Sequence, residues 1–194
     1  MLRILRNKKT AKKIWIGLAI IIIPAFTLWG FVGGKSDRKE GSVAGRIFGR
    51  NVSSLEFRDS VIAVRTLAII QFGDKLPEVE KDLNLEGQAW ERLILLHEAK
   101  ARRIKVSDKE VVEEIRNAPY FQDKFGFSNK IYQEALRYVL RLQPRIFEEQ
   151  TRQNIILAKL YQQIIQNAKS SGEQIDKNKL FAEFLDQLKK KAQQ

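Results

Sequence analysis

Residues 89–115, AWERLILLHEAKARRIKVSDKEVVEEI, decide the fold. Ala89, Leu93, Leu96 and Lys100 lie on one side of a helix, and Trp90 and Ile94 broaden its apolar stripe, which predicts a helix from about Leu85 to Arg103. Ser107-Asp108-Lys109-Glu110 then has capping-box spacing. The serine oxygen takes an orphan N–H of the first turn, and the glutamate reaches back to the serine N–H. A short second helix follows through Ile115. It ends near Asn117-Ala118-Pro119, because the residue before a proline disfavours helix. Helix, tight turn and capped helix in succession put the chain in a mainly α class.

Working toward the C-terminus, Tyr120 to Phe127 (YFQDKFGF) reads as an aromatic-rich loop. Ser128 or Asn129 can cap a helix carrying Ile131, Tyr132, Ala135, Leu136, Val139 and Leu140. Pro144 suits the first turn of the next helix, where its missing N–H costs little. That helix is expected to reach about Gln166, with Leu157, Leu160, Tyr161, Ile164 and Ile165 on its buried face. Residues 167–177 form a polar linker. A final amphipathic helix, 178–194 as a segment and helical to about Ala192, carries Leu180, Phe181, Phe184, Leu185 and Leu188. Its stripe suits packing on the helices before it; the alternative is that it lies on a membrane surface, helped by its three-lysine end.

Toward the N-terminus, Ser53-Ser54-Leu55-Glu56 is another capping box. Apolar residues including Leu55, Ile62, Leu67 and Ile70 extend that helix to about Gln71, and Gly73 and Pro77 break it. Val43–Val52 (VAGRIFGRNV) reads as a small β-hairpin turning around Gly49-Arg50-Asn51.

Farther upstream the character changes. Ile14 to Val32 (IWIGLAIIIIPAFTLWGFV) is nineteen residues without a charge. As a helix it would be about 28 Å long, close to the hydrocarbon thickness of a bilayer. Arg3, Arg6, Lys8, Lys9, Lys12 and Lys13 precede it with no acid among them, and basic flanks stay cytoplasmic. Trp15 and Trp29 sit near the two ends, at headgroup level, and Pro24 is a kink that membrane helices tolerate. The alternative is a cleaved signal peptide, whose apolar region is about 7–15 residues and ends in a small-x-small site. The segments expected are a cytoplasmic basic tail (1–13), a transmembrane anchor (14–32), a tether (33–42), a helical domain (43–166), the linker and the last helix. The expected location is the inner (cytoplasmic) membrane, single-pass, with the domain periplasmic or otherwise extracytoplasmic.

The formal charge of +12 invites a nucleic-acid reading. Residues 1–40 carry nine basic and two acidic residues, or +7, which leaves +5 for everything beyond. The excess is mostly a topology signal, and no Arg-rich block or nucleic-acid motif remains. Cysteine is absent, which excludes disulfides, thiolate catalysis and Cys-based metal sites.

Three stretches together resemble the N-terminal region of the SurA/PpiD family of extracytoplasmic folding factors. They are VAGRIFGRNVSSLEFRDSV, AWERLILLHEAKARRIKVSDKEVVEEI and NAPYFQDKFGFSNKIYQEAL, covering roughly residues 43–165 in order. The basic tail and single span resemble the anchored members. The resemblance implies a mainly α SurA N-terminal-like domain with a small β-hairpin, closed by the C-terminal helix after a short connection. It also implies a chaperone-like module that binds unfolded or newly translocated polypeptides near a membrane, with a translocon or a separate isomerase as neighbours. Family members usually carry a parvulin prolyl-isomerase domain of about 90–100 residues after this region. Here 28 residues follow Gln166, and His97 is the sole histidine where the parvulin pattern calls for a pair with Cys or Asp.

No other catalytic motif is present: no Gly-rich phosphate loop, no H-E-x-x-H, no G-x-S-x-G. Glu113-Glu114 and Glu148-Glu149 are sequence neighbours that point to different sides of a helix. No enzyme activity, cofactor or metal is therefore expected. A holdase needs an accessible apolar surface with a polar rim. The expected client-binding residues are the loop aromatics Tyr120, Phe121, Phe125 and Phe127, with Tyr132 and Tyr138 as groove walls; each could instead plug the helices together. The alternative function is a single-pass scaffold or accessory subunit that docks one folded partner.

Overall fold

The computed structural model describes residues 42–169 and 176–193. The expected basic tail, membrane anchor and most of the tether lie outside the described residues. No helix among the described residues is long and apolar enough to cross a membrane. The architecture is mainly helical with a small hairpin: β1 (Val43–Ile47), β2 (Arg50–Ser53), α1 (Ser54–Phe72), α2 (Leu76–Val79), α3 (Leu85–Ala101), α4 (Asp108–Asn117), β3 (Gln122–Asp123), β4 (Gly126–Phe127), α5 (Asn129–Glu134), α6 (Pro144–Lys169) and α7 (Lys177–Ala192).

β1 and β2 pair antiparallel, with Ile47 opposite Arg50 and a bulge between Val43 and Gly45. The turn is Phe48-Gly49, one residue earlier than the sequence suggested. Both have positive φ (50° and 73°), the conformation that matches the twist of a two-residue hairpin. A phenylalanine is costly there, and tertiary contacts hold it. Its ring stacks on His97 at 4.4 Å, and its N–H donates to the carbonyl of Ala192 at 3.1 Å. Gly45 is required for space: a Cβ on it would meet the Trp90 ring at 2.7 Å.

The helix signals are realised with instructive differences. Ser53 caps α1 by accepting from the Glu56 N–H (3.1 Å), but the Glu56 carboxylate is engaged by Arg50 through two bonds of 3.1 and 2.6 Å. At Ser107 both halves of the box form. The buried face of α1 consists of small residues, Ser60, Ala63, Val64, Thr66 and Ala68, while Leu55 and Leu67 stay exposed. Small side chains let α1 lie close to α3, where the Ser60 hydroxyl donates to the Ala89 carbonyl at 2.9 Å.

Three apolar clusters fill the interior. One unites Val111, Ile115, Phe121, Tyr132, Leu136 and Phe147. A second joins Ile47 and Val52 of the hairpin to Leu93 and Ile94 of α3 and to Leu188 and Ala192 of α7. The third, around Ala99, Leu160 and Ile164, is bordered by Leu180, Phe181 and Phe184 of α7. The last helix thus packs on the hairpin, α3 and α6, and Lys189 pairs with Glu91 of α3 at 2.6 Å.

The α3–α4 turn is clamped by two cations of α6. Arg152 donates to the Val106 carbonyl (3.1 Å) and to Asp108 (2.8 Å). Lys159 donates to the Lys105 carbonyl at 3.0 Å and pairs with Glu110. The bond from Lys159, aided by the Ser107 N–H and hydroxyl, lowers the Glu110 carboxyl from 4.5 to about 2. A carboxyl depressed in the folded state adds stability that is present above its unfolded value and lost as pH falls. The melting temperature should therefore fall between pH 4.5 and 2 more steeply for the natural chain than for Glu110→Gln. Parallel melting curves for the two across that window would show that the clamp does not couple to folding.

Candidate functional site

A groove of about 1060 Å³ opens between α1, α3, the start of α6 and the turn at 141–143. Its apolar lining comes from Leu55 and Ile62 of α1, Leu93 and Leu96 of α3, Leu142 of the turn and Ile146 of α6. Leu55 and Ile146 remain 57% and 47% exposed, so apolar surface stays accessible from solvent. Around it stand three basic residues, Arg50, Lys100 and Arg141, and three acidic ones, Glu56, Asp59 and Glu149. Equal numbers of opposite charges give such a rim no strong preference for a charged ligand.

Local folding places each wall. The Ser53 cap starts α1 so that Leu55 sits on its first turn. On the opposite side the chain leaves a π-helical turn, Ala135–Leu140, through Arg141 in the left-handed region (φ 53°). The Leu142 N–H donates back to the Leu136 carbonyl at 2.9 Å, and Pro144 then opens α6. π-turns of this kind recur at functional sites because they displace the chain that follows. His97 lines the groove with its ring stacked on Phe48, a packing role that fits its place inside α3.

Beneath the groove runs a polar seam that sequence reading did not anticipate. Arg92 is buried (5% exposed) on α3 and donates to Asn154 (2.7 Å) and Gln153 (3.1 Å) of α6. Its guanidinium faces amide oxygens, and desolvation lowers its pKa to about 10. Gln150, also buried, lines the groove, and its side-chain oxygen accepts no hydrogen bond.

The six expected aromatics are divided between inside and outside. Phe121 is fully buried and Tyr132 is 6% exposed. Both rings contact Phe147 in the first cluster, at 5.6 and 6.1 Å; Phe121 has no exposed surface, while Tyr132 borders, with Phe127, a smaller cavity of about 280 Å³. Phe127 is half-buried, 5.9 Å from Tyr132. Tyr120, Phe125 and Tyr138 are exposed, at 47%, 88% and 66%. None of the six lines the groove between α1, α3 and α6. The segment from Tyr120 to Phe127 is also more ordered than a loop: a 3-10 turn (Pro119–Phe121) leads into the β3–β4 hairpin, tightened by Asp123 accepting from the Phe125 N–H at 2.8 Å. The signal that would have located the groove is apolar residues off the buried stripes, on first turns that otherwise look polar: Leu55 beside a cap and Ile146 just after Pro144.

No group of three or more His, Cys, Asp or Glu side chains among the described residues is arranged to hold a metal ion. Comparison with known proteins gives one family-level result: a model of the SurA-like N-terminal domain matches residues 1–161. No curated protein and no solved structure matches the chain.

Proposed function

Because this chain belongs to the SurA-like N-terminal domain family, which is chaperone-like at the family level, we propose that its folded unit holds extended, apolar segments of unfolded or newly translocated polypeptides in the groove between α1, α3 and α6. The carrying observation is the groove itself: accessible Leu55 and Ile146 over an apolar lining, inside a rim of balanced charge. Apolar walls supply affinity without demanding one sequence. The process is binding and release; no covalent step is involved.

On this reading Ile14–Val32 is an uncleaved anchor in the inner membrane, with the basic tail cytoplasmic and the domain periplasmic. The family match begins at residue 1 and so includes that stretch, which supports treating it as part of the functional chain. Anchoring raises the effective concentration of the groove near a translocon, so intrinsic affinity can stay weak and exchange fast.

Suppression of aggregation of an unfolded outer-membrane protein by the full chain in detergent tests the proposal. Leu55→Glu with Ile146→Glu should weaken suppression about tenfold, because each replaces apolar lining by a desolvated charge. The melting temperature should change little, since the two positions are 57% and 47% exposed. Unaltered suppression by the double variant would remove the groove from the reading. Recovery of a single folded protein at fixed stoichiometry, with no suppression by the natural chain, would favour a scaffold.

A further inference from the structure

Residues 116–145 combine a net charge of +4 with exposed aromatic rings. Their six cations, Arg116, Lys124, Lys130, Arg137, Arg141 and Arg145, are all exposed. None of them takes part in an ion pair among the described residues. The two acids of the segment, Asp123 and Glu134, do not balance them, and Asp123 is already bonded to the Phe125 N–H.

The same segment holds Tyr120, Phe125 and Tyr138, the three aromatic residues among the exposed large hydrophobics of the described chain. Phe125 projects from the tip of the β3–β4 hairpin and is 88% exposed. Its ring has the Lys124 ammonium 4.9 Å from its centre, and Tyr138 has the Arg137 guanidinium at 5.4 Å. Ring and cation therefore arrive in pairs. Such pairs suit the boundary of a bilayer, where the ring enters the headgroup layer and the cation meets phosphate. An unfolded client has no fixed negative charge to match six unpaired cations.

We propose that the 116–145 segment is a peripheral docking surface for an anionic lipid bilayer, with Phe125 and Tyr138 inserted at headgroup depth and the surrounding cations on the lipid phosphates. The surface is distinct from the groove's apolar lining, and Arg141 is common to both. It does not depend on the client-binding reading, since its ligand is lipid.

The absence of cysteine makes the test direct: Asn129→Cys, at an exposed position opening α5, creates a single site for an environment-sensitive fluorophore on the full chain. On vesicles containing phosphatidylglycerol the label should shift to the blue and be quenched by a lipid-borne quencher. On pure phosphatidylcholine vesicles it should do neither, and about 1 M salt, with a Debye length of about 3 Å, should reverse the response. Phe125→Ser should lower the fraction docked about tenfold, through loss of apolar insertion. Lys124→Glu with Arg137→Glu should lower it at least as much, at about fivefold per cation lost. A response that is equal on both vesicle types, that survives Phe125→Ser, or that appears only on addition of an unfolded protein would overturn the assignment, the last giving the surface to clients.

Discussion

Phe121→Ala is expected to destabilise the folded unit by about 3–5 kcal/mol, the range for deleting a fully buried aromatic ring. Phe121 has no exposed surface, and its ring meets Tyr120 at 4.5 Å, Tyr132 at 5.0 Å and Phe147 at 5.6 Å, mostly edge to face. Its neighbours come from a 3-10 turn, α5 and α6, elements that no continuous backbone ladder holds together, so they cannot collapse to fill the cavity. For a domain of this size the loss corresponds to a fall in melting temperature of about 6–20 °C. Phe125→Ser, four residues on, should move stability by no more than about 0.5 kcal/mol, because the ring is already in solvent. Thermal unfolding of the two variants separates them. Similar melting temperatures would show that the Phe121 cluster is not the rigid core described here. The contrast also matters for activity: a Phe121 variant that loses client binding would do so by unfolding.

The second large effect is expected at the C-terminal helix. Leu188 is 5% exposed in the cluster shared by the hairpin, α3 and α7, and Leu188→Ala should cost about 2–5 kcal/mol. Deleting α7 would add the loss of Phe181, Phe184 and Ala192 and of the carbonyl that accepts the Phe48 N–H. With total stabilities of about 5–15 kcal/mol, the deletion should leave little cooperative unfolding transition. Hydrogen exchange gives a finer readout: in Leu188→Ala the amides of β1, β2 and Phe48 should exchange faster, while those of α4 and α5 keep their protection. Unchanged exchange in the hairpin would mean that α7 only covers the domain and does not hold it.

The sequence made the helices legible because their signals are local. The Ser107–Glu110 box and Pro144 mark helix starts within a few residues of where α4 and α6 begin. What escaped was set by contacts distant in sequence. Gly49 marked a turn, yet the turn sits one residue earlier because His97 and Ala192 hold Phe48 in the left-handed region. In the aromatic stretch, spacing could not separate Phe121 from Phe125, since an irregular segment has no period that encodes burial. No local pattern marks Arg92, whose partners Gln153 and Asn154 come from α6. The groove is assembled from Leu55, Leu96 and Ile146, which no local pattern connects.

The hydrogen bond from Phe48 to Ala192 joins positions roughly 140 residues apart and sets a timetable for biosynthesis. At about 5–20 residues per second the hairpin waits on the order of 7–30 s for its last partner to leave the ribosome. Throughout that interval Ile47, Val52, Leu93 and Ile94 lack the cover that Leu188 and Ala192 give them. A nascent copy therefore passes through a stage in which it is itself an incompletely folded polypeptide with open apolar surface, and it becomes self-sufficient only as synthesis reaches α7.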